Sequence, residues 1–241
     1  SHSGDCPPPC HSRHLTVSHT ISMGARAERV MAISSISTVS TPPKMPNTIP
    51  ASFWVMGEAW LATHIWEHFE YTGDREFLEE NFEIIQDSVD FFRDFLIRAD
   101  DLTLVTSPSV SPENTYIMKD GRQGCMCEGA VMDVEILMEL LEGYKKACEV
   151  LRKPGELLKQ AEEILKALPP LKIGKYGQLQ EWQEDYEEAE PGHRHISHLY
   201  GVYPGHSVSW KKTPELMQAA ETTLKRIFRS WRNMQHSAMY S

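Results

Sequence analysis

Three stretches of this 241-residue sequence carry residue types and spacings that could do chemistry. In Ser107-Pro108-Ser109-Val110-Ser111-Pro112-Glu113-Asn114-Thr115-Tyr116, two closely spaced prolines stiffen the approach to Glu113, as a positioned acid or base requires. The competing interpretation is a solvated glutamate in a loop. In Gly192-His193-Arg194-His195-Ile196-Ser197-His198-Leu199-Tyr200, preceded by Gln180-Glu181-Trp182, arginine and imidazole donors accompany an indole. Sugar hydroxyls need directed hydrogen bonds and a pyranose ring packs an apolar face on an aromatic side chain, so this set suits a carbohydrate. A plain surface cluster competes with that interpretation, and histidine spacings of two and three match no strong zinc pattern. The third stretch, His64-Ile65-Trp66-Glu67-His68, matches the H-x-x-E-H pattern, in which two histidines share a helical face and a glutamate serves a zinc-bound water. Only three positions define that match. The neighbouring Trp60, Trp66 and Phe69 suit hydrogen-bonded core or substrate-facing histidines as well, and for a third zinc ligand Glu135, Glu139 and Glu142 are merely available.

The elements that must position these groups are helices. Beyond the Thr72-Gly73-Asp74 turn, with Asp74 as N-cap, Leu78, Phe82, Ile85, Val89, Phe92 and Leu96 recur at steps of four and three and stack on one helical face. A second stripe runs through Met132, Ile136, Leu137, Leu140, Leu141, Tyr144, Cys148 and Leu151. A third takes Leu157, Ala161, Ile164, Leu165 and Leu168 before Pro169-Pro170 stops it. Thr213-Pro214-Glu215 opens a fourth helix through Leu216, Ala220, Leu224 and Ile227, with Thr213 as its cap. The stretch from Phe53 to Tyr71 is expected to be helical from about Gly57. Only Leu102 to Thr106 and Ile173 to Leu179 read as extended. Long connections between helices then carry the chemistry, because helix faces are taken up by packing.

Composition narrows the function. With 41% apolar and 24% charged residues the chain is an ordinary globular one, and no run of about 18 apolar residues offers a membrane span. A net charge of −10 argues against a general nucleic-acid binder, whose affinity comes from Lys and Arg contacts to phosphates. Five cysteines without a CxxC pair indicate neither a disulfide framework nor a four-cysteine zinc site. The charge is uneven: residues 1–50 hold four basic and two acidic side chains, net +2, so the remainder is −12. That Ser-, Thr- and Pro-rich leader has few bulky apolar groups to offset ordering entropy and lacks a signal peptide's compact apolar run, so an irregular or disordered leader is expected over 1–49.

Taken together and in order, these stretches resemble glycoside hydrolase family 95, the inverting α-L-fucosidases that release fucose from α-1,2 linkages. The matching residues begin with Phe53-Trp54-Val55-Met56-Gly57, Ala59-Trp60-Leu61, His64-Ile65-Trp66-Glu67-His68 and Tyr71-Thr72-Gly73-Asp74. They continue with Ser107-Pro108-Ser109, Ser111-Pro112-Glu113-Asn114, Leu179-Gln180-Glu181-Trp182, His193-Arg194-His195-Ile196-Ser197-His198-Leu199-Tyr200 and Tyr203-Pro204-Gly205. Coverage is about residues 50–225. The resemblance implies an α fold, part of an (α/α)6 toroid of helical hairpins whose active site lies where the loops gather, and it turns H-x-x-E-H into scaffold or substrate wall. By resemblance Glu113 is the general acid, and Trp54, Asn114, Glu181, Arg194, His195 and His198 are the substrate-binding residues. No metal or cofactor is implied. The expected partner is a fucosylated oligosaccharide or glycan, with neither nucleic acid nor membrane, and family analogy implies an extracellular location. In such an inverting enzyme the acid protonates the leaving oxygen while a base on the opposite face activates water.

The sequence also departs from that family. Its paired asparagines in an Asn-Ile-Asn motif and its aspartate in an Ile-Asp-Gly-Asn-Phe-Gly motif, which activate the water, do not occur in this chain. Asp120 and Asp185 do not replace them by motif. Where a His-His-Asn-Thr-Asp segment is expected, the chain reads Met31-Ala32-Ile33-Ser34-Ser35-Ile36-Ser37, and after the last helix it runs into Arg229-Ser230-Trp231-Arg232-Asn233. The expected organisation is therefore a leader over 1–49, a catalytic-domain fragment over 50–228 and a divergent tail over 229–241, with abrupt junctions of the kind a frameshift or misplaced exon boundary leaves. A chain of this kind is expected to turn over little or no substrate, with a non-catalytic carbohydrate-binding remnant as the alternative and a zinc metalloprotease as a distant one. Helix faces left uncovered are expected to drive self-association.

Overall fold

A computed structural model describes residues 54–239, with side chains to residue 232. The leader at 1–49 lies outside the described residues. Most of the described chain is helical. Helix α1 spans Gly57–Thr72 and ends at Gly73, whose φ of 69° is the left-handed conformation that glycine adopts most readily and whose N–H donates to the Phe69 carbonyl. Asp74 then caps α2, Arg75–Phe95, its Oδ1 accepting from the Phe77 N–H at 3.0 Å. The predicted stripe is the buried face of this helix: Leu78, Phe82, Ile85, Val89 and Phe92 are almost wholly enclosed.

Helices α3, Val131–Leu151, and α4, Glu156–Ala167, form a second pair. Their apolar residues, including Ile136, Leu140, Leu141, Tyr144, Ala161 and Ile164, join those of α1 and α2 in one core. Helix α3 is buried nearly all round, which its sequence already shows by carrying more apolar positions than one stripe needs. It approaches α1 closely at Gly143, where a Cβ would stand 3.2 Å from the Trp66 side chain. Helix α5, Pro214–Met239, is attached through a smaller cluster in which Ala219 and Ala220 pack with Leu179 and Leu199. Leu171 touches both clusters and joins them. The predicted start of α5 holds, but the Thr213 hydroxyl accepts from the Ser209 N–H; its carbonyl accepts the first helical bond, from the Met217 N–H. Helix α5 continues through residue 229 to Met239, so the tail carries on the helix.

Between α2 and α3, and again between α4 and α5, the chain forms short strands that sequence periodicity did not reveal beyond 102–106 and 173–179. Strands β1 (Ile97–Arg98) and β2 (Leu104–Val105) pair antiparallel. Strand β3 (Ser109–Val110) pairs with β6 (Met126–Cys127), placing Ser109 opposite Cys127. Strand β4 (Tyr116–Ile117) lies between β5 (Gln123–Gly124) and β7 (Glu187–Glu188). Ile173 and Leu179 form an isolated bridge. These pairings flank the Glu113 loop on both sides and bring the distant 181–198 segment against it.

Candidate active site

The Ser107–Thr115 loop lies across the start of α3, and two buried carboxylates hold it. At one end Asp133, in the first turn of α3, accepts from Thr106 Oγ1 and Ser109 Oγ, both at 2.7 Å and both on Oδ2. Ser109 Oγ in turn accepts from the Ala130 N–H at 3.0 Å, tying strand β3 to the helix terminus. Burial pushes the Asp133 carboxyl up to about 6, while the two hydroxyls and the nearby Trp54 indole N–H favour its ionised form. At the other end Glu181 accepts from Ser111 Oγ at 2.7 Å on Oε1 and from Asn114 Nδ2 at 2.8 Å on Oε2. Burial pushes Glu181 up to about 7, opposed by those two bonds and by the charge of His193. The Ser197 hydroxyl, from the short 3-10 helix Ser197–Leu199, donates to the Pro112 carbonyl and pins the loop midway.

Glu113 is the residue of this loop that faces the 193–195 turn. Arg194 Nη2 donates to Glu113 Oε2, and His195 Nε2 stands 3.7 Å from the same oxygen. The Glu113 side chain keeps 31% of its exposure, Arg194 68% and His195 41%, so the three meet at the surface, where a ligand can reach them. Trp54 is half-buried, set edge-on to Trp60 with ring centroids 5.7 Å apart. Its indole N–H lies near Asp133, the carboxylate that also holds Ser109 of the acid loop.

The remaining residues expected to touch substrate are placed differently. Asn114 is 4% exposed with both ends of its amide engaged, Nδ2 to Glu181 and Oδ1 accepting from the Thr115 N–H. Glu181 is 4% exposed and His198 3%. His198 Nδ1 lies 3.4 Å from Glu181 Oε2 without hydrogen-bond alignment, and burial pushes its imidazole down to about 4 against the pull of Glu188. These three form a layer beneath the exposed trio, closed to solvent.

The H-x-x-E-H stretch is on α1 as expected, but its histidines serve local contacts. His64 Nδ1 pairs with the Trp60 carbonyl at 2.9 Å, whereas the His68 ring packs on Phe77 and its Nε2 lies 4.0 Å from Asp74. Of the available third ligands, Glu135 is fully buried against Gly201 and Glu139 accepts from the His206 N–H. Among the described residues no group of three His, Cys, Asp or Glu side chains is arranged to hold a metal ion. The described residues therefore give the zinc-protease alternative no supporting geometry. Sequence reasoning missed Asp133; the signal was an acidic residue in the first turn of a helix, among Val131, Met132 and Val134, where the helix terminus favours a carboxylate.

The chain matches the glycosyl hydrolase family 95 catalytic domain over residues 16–240, a range that takes in most of the leader and tail as well as the motif-bearing segment. It is 40% identical over 177 residues to Alpha-L-fucosidase 2 of Arabidopsis thaliana, an alignment covering 73% of this chain and 21% of that protein. To Probable alpha-fucosidase A of Aspergillus niger it is 30% identical over 172 residues, covering 69% and 21% respectively. The corresponding Aspergillus oryzae protein is 34% identical over 113 residues, 44% of this chain and 14% of that one. The chain thus spans about a fifth of the length of the first two relatives. Its match to the catalytic-domain model over nearly its whole length places the chain in glycosyl hydrolase family 95.

Proposed function

We propose that this chain is the acid-bearing segment of a glycoside hydrolase that removes terminal α-L-fucosyl groups from α-1,2 linkages with inversion. The observation that carries the reading is the convergence of Arg194 and His195 on one oxygen of Glu113 at the surface. In this reading Arg194 and His195 turn from Glu113 to hydroxyls of the bound sugar, and Glu113, released from the ion pair, takes up a proton from solvent and delivers it to the leaving glycosidic oxygen. Trp54 supplies an aromatic wall suited to the methyl group that fucose carries in place of a 6-hydroxymethyl group. The hairpins α1/α2 and α3/α4, packed on one another with the loops bearing Glu113 and Arg194 brought together, are consistent with an arc of an (α/α)6 toroid.

Water activation is not assigned to any residue of this chain. Asp120 is exposed and bonded to Arg122, and Asp185 accepts from the Lys175 N–H and Gln178 Nε2. The chain alone is therefore expected to bind α-L-fucose and to turn over an α-1,2-fucosylated oligosaccharide slowly or not at all, since no side chain among the described residues is placed as the second proton-transfer partner. Calorimetric titration with L-fucose, repeated on Arg194→Ala, tests the binding: at least a tenfold loss is expected, and no binding by the wild-type chain would overturn the reading. Any turnover of the oligosaccharide is expected to vanish in Glu113→Gln, with the initial product anomer, read by NMR, reporting inversion.

A further inference from the structure

Glu181 is shut off from solvent, yet both of its carboxylate oxygens are committed to the loop that carries Glu113. The two donors, Ser111 and Asn114, flank Pro112-Glu113 on either side and are separated from Glu181 by 70 and 67 residues of sequence. The Glu181 backbone carbonyl accepts from the Val131 N–H at 3.2 Å, so the same residue is fastened to the first turn of α3. The loop is closed on itself by the Asn114 N–H donating to the Ser111 carbonyl at 2.8 Å. Glu113 thus stands at the corner of a four-residue turn whose two feet rest on one carboxylate, with the Ser197 hydroxyl holding the Pro112 carbonyl between them. Hydrogen bonds to a buried carboxylate are among the stronger ones, and their loss leaves the charge or its partners unsatisfied. A shift of about 1 Å at a reacting group is enough to cost two orders of magnitude in rate.

We propose that Glu181 is a positioning residue that sets the Glu113 carboxyl against Arg194 and His195 by holding Ser111 and Asn114, and that it does not contact the sugar. The proposal rests on the reading of Glu113 as the acid. A carboxamide can replace the carboxylate here: its oxygen accepts from Asn114 Nδ2 and its NH2 donates to Ser111 Oγ. Glu181→Gln therefore keeps both feet of the turn, whereas Glu181→Ala removes both.

The test reads the place of Glu113 without relying on turnover. In 15N-labelled chain, the Arg194 guanidinium resonance, identified by its loss in Arg194→Lys, reports the contact with Glu113, and Glu113→Gln gives its displaced position. Glu181→Ala is expected to move that resonance by at least half of the same displacement and to weaken L-fucose binding at least fivefold. Glu181→Gln is expected to stay within twofold of wild-type affinity with the resonance unmoved. A folded Glu181→Ala with resonance and affinity unchanged would overturn the proposal. So would a Glu181→Gln that loses affinity as fully as Glu181→Ala, because that pattern belongs to a charge acting directly on the ligand. Should Glu181→Ala fail to melt cooperatively, Ser111→Ala and Asn114→Ala each cut one foot and are expected to move the resonance part of the way; no movement in either has the same overturning force. If the wild-type chain binds no fucose but the resonance still follows Glu181, the functional reading fails and the positioning stands.

Discussion

Glu58 shows how burial decides the behaviour of a single carboxyl group in this chain. It lies in the first turn of α1, where the helix terminus favours negative charge, yet it is 7% exposed and burial, helped by the charge of Asp87, pushes it up to about 7. Between the unfolded value near 4.5 and about 7, the folded chain therefore holds a proton that the unfolded chain has released. Stability contributed by that difference is full below pH 4.5 and declines as pH rises to 7, by at most about 3 kcal/mol. Asp133 adds a decline in the same direction over about 4 to 6. Glu181 and His198 oppose each other: burial raises one to about 7 and lowers the other to about 4, so together they hold one proton across that interval, as the unfolded histidine alone does over most of it. The melting temperature is expected to fall between pH 5 and 7, and Glu58→Gln is expected to flatten much of that slope and to melt higher than wild type above pH 7. A scanning-calorimetry series showing parallel slopes for the two proteins would contradict this.

At the scale of elements, what the sequence disclosed depended on how cleanly one face was buried. Helix α2 was legible to its cap because its apolar residues fill a single stripe and Asp74 stands directly before it. Asp74→Ala removes the bond to the Phe77 N–H and is expected to cost about 1 kcal/mol, seen as a lower denaturation midpoint with an unchanged slope. An unaltered midpoint would show that the helix start is held by packing alone. Strand β2 falls within the extended stretch expected over 102–106, but the other strands escaped notice because each has two residues, too few for an alternating pattern to register. The meeting of Glu113 with Arg194, 81 residues away, was not legible from spacing at all; family motifs named the residues and the tertiary structure supplied their contact. Nor could motifs separate the exposed Arg194 and His195 from the buried Asn114, Glu181 and His198. Burial of a polar side chain in a loop is set by what folds over it, and no local pattern records that.

For the molecule as a whole, helix α5 leaves a group of apolar side chains exposed on one side. Its inner face is satisfied by Ala219, Ala220 and Ile227, while Leu224 at 36% and Phe228 at 53% exposure project outward one turn apart. Trp231, at 39%, follows on that side, its Nε1 donating to the Gly192 carbonyl beside the histidine-rich turn. A surface of this kind favours association, and in a chain in solution the most abundant partner is a second copy. Lys225, Arg229 and Arg232 accompany Phe228 and Trp231 around one concavity, so two such faces repel at low ionic strength. The expectation is therefore specific: self-association that strengthens with salt, as screening removes the repulsion and leaves apolar burial to dominate. Sedimentation velocity at about 0.05 and 0.5 M salt measures this, since the screening length falls several-fold over that range. Phe228→Glu is expected to keep the chain monomeric at both, and Leu224→Glu to act in the same direction less strongly. Trp231 is left intact so that its bond to Gly192, and with it the support of the 193–195 turn, is preserved. A wild-type chain that is monomeric at both salts would contradict the expected self-association, and an association that Phe228→Glu leaves untouched would place the sticky surface elsewhere than on α5.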